Sequence, residues 1–106
     1  MGEVNLIEGV GRGQEIETPI GVLPLPAEGP VTLAIRPEHV SRAADSPLCE
    51  TRVSDTAFFG TYVRALLQAG SEQLYAHLPP DSDVAVGTPI RLSLDLDKVR
   101  VFPRAR

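Results

Sequence analysis

Ten prolines and nine glycines punctuate this chain of 106 residues, and nothing else in it constrains the fold as strongly. Proline cannot continue a helix or a central strand, and glycine marks turns, bulges and close backbone approaches. Interruptions at such short intervals favour many short strands over long helices. Between them the chain alternates. Val31, Leu33 and Ile35 alternate with Thr32, Ala34 and Arg36; Leu74, Ala76 and Leu78 with Gln73, Tyr75 and His77; Ile90, Leu92, Leu94 and Leu96 with Arg91, Ser93 and Asp95. This is the period-2 signal of strands with one buried face. With no Trp and only three Phe and two Tyr, the core is expected to be Leu, Val, Ile and Ala.

The order of segments predicts hairpins. Gln14–Pro24 reads as a hairpin turning at Pro19-Ile20-Gly21. The proline-rich stretch Pro24–Pro30 reads as a loop that cannot carry a central strand. The strand Val31–Arg36 follows, and Ser41–Pro47 is a polar surface loop. Leu48–Gly60 is a strand whose pattern slips out of phase at Asp55-Thr56, which predicts a bulge. Thr61–Ala69 and Gln73–Leu78 form an antiparallel pair around Gly70-Ser71. Ile90–Leu96 and Val99–Phe102 close the chain around Asp97-Lys98. Residues 1–13 are ambiguous: Gly9, Gly11 and Gly13 break an incipient strand without matching any phosphate-loop spacing. They read as a linker, with the domain proper at residues 14–106. Seven or eight short antiparallel strands with no substantial helix must resolve their exposed edges, as a sandwich or a closed sheet. The expected fold is an all-β, OB-like small barrel.

The stretch Leu33–Val40 concentrates chemistry at a rigid strand end. Pro37 stops the strand and holds Arg36 extended, while Glu38 and His39 follow at once. A cation, a carboxylate and a group titrating near neutrality suggest a site. Near-neighbours on one strand end do not all point one way, however. The competing reading is a structural turn in which Arg36 and Glu38 bond the backbone or each other. Subunit contact and effector binding are the remaining roles; catalysis has least support. Phe58 and Phe59 are consecutive in a strand, so one is expected in the core and the other outward, the outward one beside Gly60 as a subunit contact.

Several classes are disfavoured. A net charge of −4 opposes general nucleic-acid binding, which needs a basic face against phosphates. Lys98, Arg100, Arg104 and Arg106 cluster at the C-terminus and read as a solvated tail. The single Cys49 excludes an internal disulfide and fits a reducing compartment. His39, His77 and Cys49 lack metal-site spacing, and Asp81, Asp83, Asp95 and Asp97 lack the Gly and Glu of a calcium loop. No apolar run approaches the roughly 20 residues that span a bilayer, Met1-Gly2-Glu3-Val4-Asn5 does not read as a leader peptide, and no Gly-x-Ser-x-Gly nucleophile motif occurs.

Several blocks in order resemble one family. Gly2-Glu3-Val4-Asn5-Leu6, Leu33–Val40, Val53–Arg64 with Phe58-Phe59-Gly60 and Tyr62-Val63, Leu74-Tyr75-Ala76-His77, Val86–Leu92 and Val101-Phe102 together look like the C-terminal TOBE-type domain of ATP-binding subunits of ABC importers, in the sugar, polyamine and ferric-iron group. The run Phe58-Phe59-Gly60-Thr61-Tyr62 looks closer to the polyamine and ferric-iron branch. Pro24–Pro30 matches no block.

The resemblance implies a division of labour. ATP and magnesium would be bound by an N-terminal ATPase domain, whose phosphate loop and signature motif this sequence lacks. This domain would carry no catalysis, cofactor or metal. It would pack against its own ATPase domain and a second copy of the subunit, contact permease subunits through the parent, and in some members bind a small molecule, an anion or a regulatory protein. It would be cytoplasmic, held at the inner face of the membrane through the transporter without inserting into it. The candidate interaction surface is Arg36, Glu38, His39, Phe58, Phe59, Tyr62 and Arg64. A small oxyanion-binding module, with Arg36 or Arg64 in its site, is the alternative.

Overall fold

A computed structural model describes residues 3–42 and 48–104. Ten strands form two five-stranded sheets. The first contains β1 (Asn5–Gly13), β2 (Ile16–Thr18), β3 (Gly21–Leu23), β4 (Ala27–Ile35) and, from the far end of the chain, β10 (Arg100–Pro103), in the order β10-β4-β1-β2-β3. The second contains β5 (Val40–Arg42), β6 (Cys49–Phe58), β7 (Val63–Ala69), β8 (Glu72–Leu78) and β9 (Pro89–Leu94), in the order β5-β9-β6-β7-β8. All pairs are antiparallel. The sheets curl around one core of Leu, Val, Ile and Ala, with Ile7, Leu33 and Ile35 contributed by the first and Val53, Leu67, Leu74 and Leu92 by the second. The expected all-β, OB-like fold is the observed one. Single 3-10 turns at Pro37–His39 and Leu96–Lys98 are the only helical segments among the described residues.

The hairpin at Pro19-Ile20 forms as expected, with Thr18 opposite Gly21. So does the bulge in β6, where the register slips between Val53 and Asp55. Of the expected loop Ser41–Pro47, Ser41 and Arg42 instead belong to β5, and residues 43–47 lie outside the described residues.

Three further expectations are corrected. Asn5–Gly13 is not a linker but a nine-residue strand in the interior of the first sheet. Its glycines do not break it, because they are what lets it sit there. A Cβ on Gly9 would lie 2.9 Å from Glu17 O, and one on Gly11 would fall on the Ala27 carbonyl and 2.6 Å from Glu28 N. Only glycine allows neighbouring backbones so close.

The stretch Pro24–Pro30 reads as a loop that cannot carry a central strand; Ala27–Pro30 is instead the start of β4, but it is laddered with β1 alone, because β10 pairs with β4 only from Val31 to Ala34. Arg104 N–H donates to Pro30 O at 3.0 Å. In an extended residue N and C=O point to the same side, so the missing donor of Pro30 faces β10. That ladder ends there, at Val31 opposite Pro103.

Phe58 and Phe59 do not divide between core and solvent: they are 68% and 50% exposed. The strand ends at Phe58, and Phe59 N–H donates to Tyr62 O at 2.9 Å within the turn, so strand alternation no longer governs Phe59.

Pro37 marks the passage from one sheet to the other. Arg36 is extended (φ −73°, ψ 144°) and Pro37, buried, opens the 3-10 turn. His39 N–H donates to Arg36 O at 2.9 Å, and Asp95 N–H donates to His39 O at 3.0 Å, tying the corner to the end of β9. Val40 then returns to the core at 1% exposure.

Asn5 joins the sheets directly. Its Nδ2 donates to Tyr75 O at 2.9 Å and its Oδ1 accepts from Tyr75 N–H at 2.8 Å. Tyr75 lies on β8, an edge of the second sheet, so one amide side chain completes a strand-like pair of hydrogen bonds across the opening. The residue is buried, and it shares the inward phase of Ile7, Gly9 and Gly11.

Candidate functional site

The seven residues singled out from sequence fall into two groups and two outliers. Phe59, Tyr62 and Arg64 come together on the outer face of β7–β8. Arg64 stands opposite His77 and Leu66 opposite Tyr75 in that ladder, so alternation presents Arg64, Tyr75 and His77 on one side. The rings of Phe59 and Tyr62 stack at 5.2 Å, and those of Tyr62 and His77 at 4.0 Å. The Arg64 guanidinium carbon lies 5.2 Å from the centre of the Phe59 ring and 4.8 Å from that of Tyr75. Arg64 Nη1 donates to Glu3 Oε2 at 2.9 Å. His77 Nε2 is 3.6 Å from Glu3 Oε1, too far for a hydrogen bond, and is buried without a partner.

This cluster is filled by its own members. Cation–π contacts of partly exposed groups contribute about 0.5–1 kcal/mol each and surface ion pairs about 0–1 kcal/mol. Together they brace the β7–β8 ribbon. The cavity beside Arg64 and Tyr75 measures about 10 Å3, at the limit of a single water. Arg64 is engaged by Glu3 and by the rings of Phe59 and Tyr75.

Arg36 and His39 line a different place. With Val4, Ala34, Lys98, Arg100 and Phe102 they border a hollow of about 490 Å3 beneath the Pro37 corner. Arg36, Lys98 and Arg100 take part in none of the ion pairs or side-chain hydrogen bonds among the described residues. The Nδ1 atom of His39 is buried and unpartnered, which costs on the order of 1–3 kcal/mol.

Glu38 and Phe58 belong to neither group; both are exposed. Among the described residues, Arg36 and Glu38 bond neither each other nor the backbone through their side chains, although the structural-turn reading required one or the other. Arg106 of the expected C-terminal cationic tail lies outside the described residues, and Arg104 pairs with Glu8 at 3.2 Å instead of being solvated alone.

Among the described residues no three His, Cys, Asp or Glu side chains gather as a metal site. Cys49 is half-buried, and that burial pushes its thiol above the ordinary value, the opposite of an activated nucleophile.

Sequence reasoning missed Glu3, Asn5 and Tyr75 as partners, and Lys98, Arg100 and Phe102 as walls of the hollow. Asn5 carried a signal: it is polar in phase with Ile7. Tyr75 and His77 carried another, sharing the outward phase of β8.

A family model described as TOBE domain matches residues 33–102, well over half of the chain. The chain belongs to the TOBE domain family. The match opens on Leu33 and covers the corner, the aromatic turn and both 3-10 segments. No curated protein matches the chain. No helix among the described residues is long and apolar enough to cross a membrane.

Proposed function

We propose that this domain is the C-terminal accessory module of an ATP-binding subunit of an ABC importer, and that it acts by contact between subunits rather than by catalysis. The observation that carries this reading is the TOBE match over residues 33–102, since TOBE domains are generally C-terminal modules of ABC-transporter ATPases. ATP and magnesium are then handled by the parent's ATPase domain, with this domain packing on it and on a second copy of the subunit. Its contacts with permease subunits run through the parent, which places it at the inner face of the membrane.

The contact between copies is assigned to the β6–β7 turn. Phe58 and Phe59 are exposed there beside Gly60, whose φ is +86°. Adjacent exposed aromatics are the kind of side chain that anchors interfaces. The aromatic run favours the polyamine and ferric-iron branch over the sugar branch. An anion effector is supported by the cationic hollow at Arg36; Arg64, the other residue proposed for an oxyanion, is held by Glu3.

Parentage is tested by reading the coding sequence upstream of Gly2. A phosphate loop followed by a signature motif in the same frame is the expected result. A different domain in that frame refutes the assignment.

A further inference from the structure

The hollow beneath the corner combines two features. Part of its lining is apolar: Ala34, with Val4 and Phe102, both about half-exposed. The register explains why it is a hollow at all. Ala34 lies between Leu6 on β1 and Arg100 on β10, so a methyl group sits where both neighbours are long. The rim is cationic: Arg36 from the strand end, Lys98 from the 3-10 turn and Arg100 from β10, with no acidic residue among the lining side chains. In a chain of net charge −4 this is a local reversal of sign. A concave wall lined by one sign of charge concentrates counter-charged solutes.

We propose that this hollow binds a small organic anion, one carboxylate or phosphate group on an apolar body. The charged group meets Arg36, Lys98 and Arg100, and the apolar body covers Ala34 between Val4 and Phe102. The volume of about 490 Å3 falls within the range of small-molecule sites, roughly 300–1,000 Å3. The apolar part of the lining is what separates this ligand from a bare oxyanion. The proposal rests on the anion-effector reading above and names its ligand class; because the hollow is built from residues of this domain alone, its failure leaves the parentage untouched.

The test is titration of the 106-residue chain with phenyl phosphate, read by backbone amide chemical shifts. Inorganic phosphate, phenyltrimethylammonium and phosphatidylserine vesicles are run in parallel. Saturable shifts at Ala34, Arg36, His39, Lys98 and Arg100 are expected below about 10 mM phenyl phosphate. Inorganic phosphate is expected to bind at least about tenfold more weakly, and the cation not at all. Two variants probe charge and shape separately: Lys98→Gln with Arg100→Gln, and Ala34→Leu. Each is expected to weaken phenyl phosphate at least about tenfold while leaving the melting temperature in place. The proposal is overturned by an absence of saturable shifts or by shifts confined to other residues. It is equally overturned by inorganic phosphate binding as tightly, by both variants binding as before, or by vesicle binding without a phenyl phosphate response.

Discussion

Replacing Asn5 with alanine tests how the barrel is closed. The side chain makes two hydrogen bonds with one peptide group, 2.9 Å to Tyr75 O and 2.8 Å from Tyr75 N–H. Alanine removes both and leaves two backbone groups of an edge strand without protein partners. Each neutral hydrogen bond is worth about 1 kcal/mol net, and each backbone group left unsatisfied costs up to about 3 kcal/mol where water cannot reach it. Tyr75 is only partly buried, so water recovers part of the loss, and the expected destabilisation is about 2–4 kcal/mol. At about 4 °C per kcal/mol for a domain near 100 residues, the melting temperature falls by roughly 8–16 °C.

Urea unfolding followed by far-ultraviolet circular dichroism measures the difference. Asn5→Asp adds a sign test. The carboxylate still accepts from Tyr75 N–H but faces Tyr75 O without a donor, so the folded state favours the protonated acid. The folded protein then binds more protons than the unfolded chain, and stability of this variant rises as pH falls towards the ordinary Asp value of about 3.9. A loss below about 0.5 kcal/mol for Asn5→Ala, the range of ordinary surface changes, refutes the closure argument. So does an Asn5→Asp variant whose stability relative to the parent is the same at low and neutral pH.

Other consequences are independent of Asn5. Gly11→Ala places a methyl on the Ala27 carbonyl and is expected to cost at least about 2 kcal/mol by urea unfolding. Gly60→Ala meets no atom within 4 Å but must hold φ near +86°, so only about 1–2 kcal/mol of backbone strain is expected. Glu3→Gln removes an ion pair whose members are 31% and 39% exposed; the cost is expected below about 1 kcal/mol and should shrink in high salt. The Cys49 thiol, raised by burial, is expected to react with a disulfide reagent more slowly than free cysteine at pH 8. The midpoint of its rate against pH should lie above that of the free amino acid.

Much of the second sheet was legible because its strands follow one rule. From Val63 to Leu78 every buried residue alternates with a less buried one, and the Asp55 slip showed as a break in phase. The first sheet was harder. In β1 the inward positions after Ile7 are glycines, so the hydrophobic signal disappears where the backbones crowd most. In β4 the sequence shows Pro30 as a strand breaker, and only the end of β10 explains why its missing donor is tolerated. Arg36 and His39 were identifiable as neighbours along the chain. Their association with Lys98 and Arg100 was not, because it depends on β10 pairing with β4 across more than half the chain. Phe58 and Phe59 misled because strand alternation was carried one residue past the end of β6.

The assignment of the aromatic turn as a subunit contact is tested most directly by sedimentation velocity of this chain and of a Phe58→Ser, Phe59→Ser variant. The loading concentration should run from about 10 μM to about 1 mM, which spans weak dimer affinities. The account predicts a boundary that moves from monomer towards dimer as concentration rises, with the variant remaining monomeric. A single monomeric boundary for the parent at every concentration, or a dimer that the substitutions leave intact, contradicts it.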